Sequence, residues 1–219
     1  MEINWESQVL SSVSKVIPKL SCLEIDIDKL HEVAAELSED SFSINYEGNT
    51  NTVPKEYIRK TMLINTLNFV FTDFLTSVKY KIENYSDTDA MVYQIDKALD
   101  QGIPLTQGRF MRDINLKEFK TLFTGNIVMP MADEKVKILN NVGDILVTKY
   151  GGDWINFIDD GPKKLYDNGK GLVERLVRDF KRFDDHSIFE NEKVYFLKLA
   201  QLAFWGIHRE LSKRYFYIE

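Results

Sequence analysis

Hydrophobic residues along this chain recur mostly at spacings of three and four, the signature of helices with one buried face. Residues 4–17 (NWESQVLSSVSKVI) follow that period and stop at Pro18. The stretch EIDIDKLHEVAAEL predicts a second helix, capped by Asp26 or Asp28, with Leu30, Val33, Ala34 and Leu37 on its inner face. SFSINYEGNTNT alternates briefly and then turns loop-like, at most a short strand. Pro54 stands at a favourable first-turn position and opens a long helix whose interior, TMLINTLNFVF, is apolar nearly all round and so predicted to be buried. Asp87 and Thr88 can cap AMVYQIDKALDQ, which Gly102 ends. Asn115 with Glu118 makes a capping-box start for LKEFKTLF. Further helices are predicted from about Ala132 to Lys149, closed by Gly151-Gly152, and from Asn168 to Phe180, with a last one starting near Asn191. Strand signals are few and short, and no repeat or low-complexity linker interrupts the chain. The pattern predicts a single, mainly α domain over residues 1–219.

Composition narrows the function more than the fold. The 219 residues are 44% hydrophobic and 28% charged, enough to bury a sizeable core. A net charge of −6 argues against duplex DNA or long RNA as partner, because binding many phosphates calls for a basic face. One small phosphorylated ligand stays open, since it needs only one or two local cations. The single cysteine, Cys22, excludes an internal disulfide and a Cys-rich metal site, and His31, His186 and His208 lack ligand spacing. Asp159-Asp160 and Asp184-Asp185 lack the spacing of a calcium loop, and GxGxxG and GxSxG are absent. No cofactor and no metal are expected. With no leader pattern and no apolar run of the ~20 residues that span a bilayer, the expectation is a soluble, cytoplasmic protein without a membrane partner.

Four stretches offer chemistry. In VYFLKLAQLAFWGIHREL, Lys198, Gln201, Trp205 and His208 lie at offsets of three, seven and ten along one stripe of an otherwise apolar helix. That stripe faces either solvent, with a snorkelling lysine, or a cavity in which Lys198 holds a phosphate or acts as a nucleophile. In LNFVF, Asn68 sits inside the predicted buried helix, where an unpaired amide costs ~1–3 kcal/mol. Its partner is either backbone or the polar edge of a ligand; Phe69 and Phe71 offer flat faces for core packing or for stacking a base. In GIPLTQGRF, Thr106 and Gln107 follow Pro104 on a loop that could cover a ligand. Before the last helix, FDD at 183–185 offers a carboxylate that either caps that helix or balances positive charge developing on a sugar.

Taken in order, TLNFVF (66–71), ALDQGIPLTQGRF (98–110), LKEFKTLF (116–123), MPMADEKVKILNNVGDILVTKYGGDW (129–154) and FDDHSIFENEKVYFLKLAQL (183–202) resemble the queuosine salvage family, the queuosine 5′-phosphate N-glycosidases. The resemblance runs from about residue 17 onward. It implies a mostly helical fold related to DNA glycosylases, and hydrolysis of the bond between the deazaguanine base queuine and ribose 5-phosphate, which returns queuine for tRNA modification. It also implies that Lys198 is the active-site lysine with Gln201 in the same motif, that Asn68 and Phe69 are the asparagine-phenylalanine pair, and that Asp185 is the acidic position before the last shared helix. Phe71, Thr106, Asp185 and Gln201 join Asn68 and Phe69 as expected substrate contacts, with a modified nucleotide or base as ligand.

The chain departs from the family pattern at three positions. Gly206 replaces an acidic residue, Thr72 a tryptophan and Leu199 a second basic residue. Members of the family continue into a further helical segment carrying the catalytic aspartate, whereas this sequence stops at Glu219. The expectation is therefore that Lys198 is present without the principal carboxylate, and that Asp184, Asp185, Glu210 or a second subunit replaces it. The alternatives are a non-catalytic nucleotide- or base-binding protein, and an interaction protein that dimerises through Tyr215, Phe216 and Tyr217.

Overall fold

A computed structural model describes residues 5–21, 24, 26–36 and 55–215. Ten helices and two small hairpins appear among them: α1 (Trp5–Val16), α2 (Ile27–Glu36), α3 (Lys55–Leu67), β1 (Lys81–Ile82), β2 (Tyr85–Ser86), α4 (Asp87–Asp100), α5 (Gly108–Asp113), α6 (Leu116–Leu122), α7 (Ala132–Tyr150), α8 (Trp154–Asp159), α9 (Leu172–Asp179), β3 (His186–Phe189), β4 (Glu192–Tyr195) and α10 (Lys198–Tyr215). Both hairpins are antiparallel pairs. The protein is mainly α, as its periodicity predicts. Among the described residues no helix is long and apolar enough to cross a membrane.

The longest helix, α7, is the central post. It packs against α3, α5, α6 and α8, while α10 lies across α3 and α9. The approach of α5 to α7 is the closest in the fold's middle. Gly143 makes it possible, because a methyl group there would collide with the Arg112 amide nitrogen and stand 2.6 Å from the Gly108 carbonyl oxygen. At the other end of α7, Trp154 stacks tilted on Phe180 at 4.9 Å, and Phe157 meets Phe180 edge-on at 5.5 Å. This aromatic block fixes α8 against α9, beneath α10.

Several predicted boundaries hold. Asn115 caps α6, accepting from the amides of Lys117 and Glu118 while Glu118 accepts from the Asn115 amide. Gly151 closes α7 at φ 59. Other boundaries move, each for a local reason. The helix expected to run through TMLINTLNFVF stops at Leu67, so Asn68 is neither helical nor buried. The helix expected from Asn168 starts at Leu172, because the buried Glu174 carboxylate accepts from the amides of Asp167, Gly169 and Gly171 and winds the preceding loop around itself. The last helix starts at Lys198 rather than near Asn191. Residues 186–195 form a hairpin instead, closed by Glu190-Asn191, both at positive φ (47 and 66) as a two-residue turn requires. Helix α2 keeps its amphipathic period, yet Leu30, Val33 and Ala34, the face expected to turn inward, are exposed. Leu37, Pro54 and the SFSINYEGNTNT stretch lie outside the described residues.

Gly143→Ala tests the close α5–α7 approach. Overpacking at this backbone contact is expected to destabilise by ~1–3 kcal/mol; an unchanged denaturation midpoint would show that the two helices separate freely.

Candidate functional site

Asp185 organises the start of α10. Its carbonyl oxygen accepts from the Phe196 amide (3.1 Å), and its Oδ2 accepts from the amides of Lys198 (3.0 Å) and Leu199 (3.3 Å). One residue thus ties the end of β4 to the first turn of α10, with its carboxylate at the positive end of the helix dipole. Its other carboxylate oxygen, Oδ1, is buried without a hydrogen-bond partner among the described residues. The capping role expected of the FDD stretch is what the geometry shows.

From that start the polar stripe of α10 lines an open groove of ≈ 380 Å³. Lys198, Gln201, Leu202 and Trp205 form one wall, and Leu165 with Tyr166 the other. Gln201 donates from Nε2 to the Tyr166 hydroxyl at 2.7 Å, which joins the walls. Tyr166 belongs to the loop that Glu174 gathers, so a buried carboxylate on α9 sets the position of a side chain in the groove. The stripe is solvent-exposed and borders this open groove. The side chains of His208 and Glu210 lie outside the described residues.

The asparagine-phenylalanine motif lies elsewhere. Asn68 is exposed, and its Oδ1 accepts from the Thr88 hydroxyl at 2.9 Å. Phe69 is covered by two cations, with Lys135 Nζ 3.7 Å and the Arg182 guanidinium carbon 4.7 Å from its ring centroid. Phe71 is buried, 4.9 Å from the same Lys135 nitrogen. Phe69 itself is half-buried. Thr106 sits in the turn before α5 and is not part of the α10 groove. Of the expected site residues, then, Lys198 and Gln201 line this groove and Asp185 caps the helix that carries them, while Asn68, Phe69, Phe71 and Thr106 are not part of its lining; Arg182, over the Phe69 ring and acted on by Asp185, links the two regions.

Lys135 and Arg182 are functional-looking residues that motif reading missed. Lys135, wholly buried, donates from Nζ to the carbonyl oxygens of Leu67 (3.2 Å) and Phe69; Arg182 donates from Nε to the Thr66 carbonyl oxygen (2.8 Å). The Thr66 and Leu67 carbonyls are the last of α3, the negative end of its dipole, which a helix leaves without internal donors, and that of Phe69 follows two residues on. Burial, reinforced by the Arg182 guanidinium, pushes the Lys135 ammonium down to about 7. Arg182 is lowered by burial, with Asp185 acting the other way. The signal was present in the sequence: Ala132, Lys135, Val136 and Leu139 share one face of α7 at helical spacing, placing a lysine at a core position.

Comparison with known proteins follows this layout. The family model of the queuosine salvage protein matches residues 44–214. The chain belongs to the queuosine salvage protein family. It is 30% identical over 146 residues to the queuosine 5′-phosphate N-glycosylase/hydrolase of Mus musculus, covering 64% of this chain and 42% of that protein. For the protein of the same name from Bos taurus the figures are 26% over 173 residues, 76% and 50%. For that of Sphaerobacter thermophilus they are 23% over 198 residues, 89% and 60%. The chain spans about half the length of these relatives. The family match includes both the α10 groove and the α3 terminus with its two cations.

Lys135 makes stability depend on pH. Between pH 7 and 10.5 the unfolded lysine is protonated and the folded one is not, so the unfolded state holds more protons and stability rises with pH. Compared with Lys135→Met, the wild type is expected to gain up to about 1.4 kcal/mol per pH unit between pH 7.5 and 9 in urea denaturation. Parallel pH profiles for the two proteins would show that Lys135 keeps an ordinary pKa.

Proposed function

We propose that the chain binds a modified nucleoside 5′-phosphate along α10 and hydrolyses its N-glycosidic bond, with queuosine 5′-phosphate, after which its relatives are named, as substrate. The observation that supports this reading is a cation and an amide lining one groove, Lys198 and Gln201, with the carboxylate of Asp185 capping the first turn of the helix that carries them. Lys198 supplies the charge for the 5′-phosphate. Gln201 offers its amide to the edge of the base. Cleavage of the N-glycosidic bond builds positive charge on the sugar, and Asp185 provides the negative charge that lowers the barrier.

A second reading, binding without turnover, rests on one observation. Both oxygens of Asp185 are enclosed, Oδ2 under the first turn of α10 and Oδ1 buried. A carboxylate confined to capping leaves the groove able to hold a ligand but not to open its glycosidic bond.

Incubation with queuosine 5′-phosphate, followed by mass spectrometry of free queuine, separates the two. Hydrolysis is expected, with Lys198→Ala lowering kcat/KM by about 10- to 100-fold through loss of a charged hydrogen bond. Asp185→Asn, which keeps an acceptor for the α10 amides, is expected to lower kcat by about 100-fold or more while leaving substrate binding intact. Binding without any release of queuine would establish the second reading, and neither binding nor release would remove the ligand.

A further inference from the structure

Resting on the α10 groove as a nucleotide site, we infer that Trp205 is the platform on which the base stacks, and that the Tyr166–Gln201 pair reads the base edge by presenting an acceptor to an N–H donor. The aromatic rings of the asparagine-phenylalanine motif do not line this groove: Phe69 is half-buried against Lys135 and Arg182, and Phe71 is buried. Phe204 lines the groove floor but is fully buried. Trp205 is different: it lines the same groove and is 74% exposed. An indole this open beside Leu202, Leu165 and Tyr166 makes an apolar surface of the kind that marks binding.

The spacing fits a nucleotide laid along the helix. From Lys198 to Trp205 is seven residues, or ~10 Å at 1.5 Å per residue, with Gln201 between them. A phosphate on Lys198 therefore directs the base toward Trp205 and carries its edge past Gln201. The amide is oriented by its neighbour: Nε2 gives one of its two N–H groups to the Tyr166 hydroxyl at 2.7 Å, which fixes the side of the amide on which the carbonyl oxygen Oε1 is presented as an acceptor. A carbonyl acceptor selects a base whose edge carries an N–H donor, the lactam N–H and amino group of a guanine-type ring. Trp205 gives affinity for any flat base, and Gln201 gives the choice among them.

Calorimetric titration tests this with four probes: queuosine 5′-phosphate, its base-free fragment ribose 5-phosphate, and guanosine 5′-phosphate set against the 5′-phosphate of unsubstituted purine riboside. Trp205 is on the surface, so its variants are expected to fold, which far-UV circular dichroism checks. Trp205→Ala is expected to weaken queuosine 5′-phosphate binding about 10- to 100-fold and leave ribose 5-phosphate unchanged, with Trp205→Phe recovering most of the loss. Gln201→Leu is expected to abolish the preference for the guanine-type nucleotide over the unsubstituted purine. Full-strength binding by Trp205→Ala, together with loss of binding in Lys198→Ala, would overturn the platform while leaving the nucleotide site standing. A preference for guanine that survives Gln201→Leu would overturn the edge reader. Failure of the wild type to bind any of these probes would overturn the inference together with the site reading on which it rests.

Discussion

The carbonyls that end α3 need donors, and this requirement is met by two cations from distant parts of the chain. Lys135 reaches in from α7, and Arg182 from the turn after α9. Each gives hydrogen bonds to α3 and lies over the ring of Phe69, so one interaction joins α3, α7 and the segment leading to α10. Burying two positive charges side by side is costly. Carbonyls at a helix C-terminus and the Phe69 ring offset that cost, and Asp185 acts on Arg182 against its burial. The helix stops at Leu67 because its terminal carbonyls are drawn to these cations, and Val70 then takes a positive φ of 46 as the chain turns away.

The functional groove inherits its geometry from that arrangement. Arg182 is three residues before Asp185, and Asp185 sets both the end of the β3–β4 hairpin and the first turn of α10. Gln201 then follows Lys198 by one turn, and Trp205 follows Gln201 by another. On the opposite wall, Tyr166 stands where Glu174 holds its loop. The groove is thus set by buried charges on both sides, a carboxylate behind Tyr166 and a guanidinium behind Asp185. Its lining residues are themselves mostly apolar and partly open.

Much of this was legible from the residues. Helical spacing placed α1, α4, α6 and α7, and the Asn115–Glu118 box appeared as read. The polar stripe of α10 was visible as Lys198, Gln201 and Trp205 on a greasy helix. What periodicity could not show was tertiary. TMLINTLNFVF is apolar enough to continue as a helix, and only Lys135 and Arg182, far away in sequence, end it at Leu67. The β3–β4 hairpin was hidden because ENEK resembles a charged lead-in to a helix, although a two-residue turn containing Asn between HSIF and EKVY is a hairpin signal. Tyr166 carried no signal at all, since its place depends on Glu174 folding the loop between α8 and α9 across the groove's edge.

A crystal structure of the chain grown with saturating queuosine 5′-phosphate tests the central claim most directly. The account predicts the phosphate within hydrogen-bonding distance of Lys198 Nζ and the base over the Trp205 ring with its edge at Gln201. Ligand bound at any other surface, or a groove left empty at saturating ligand, would contradict it.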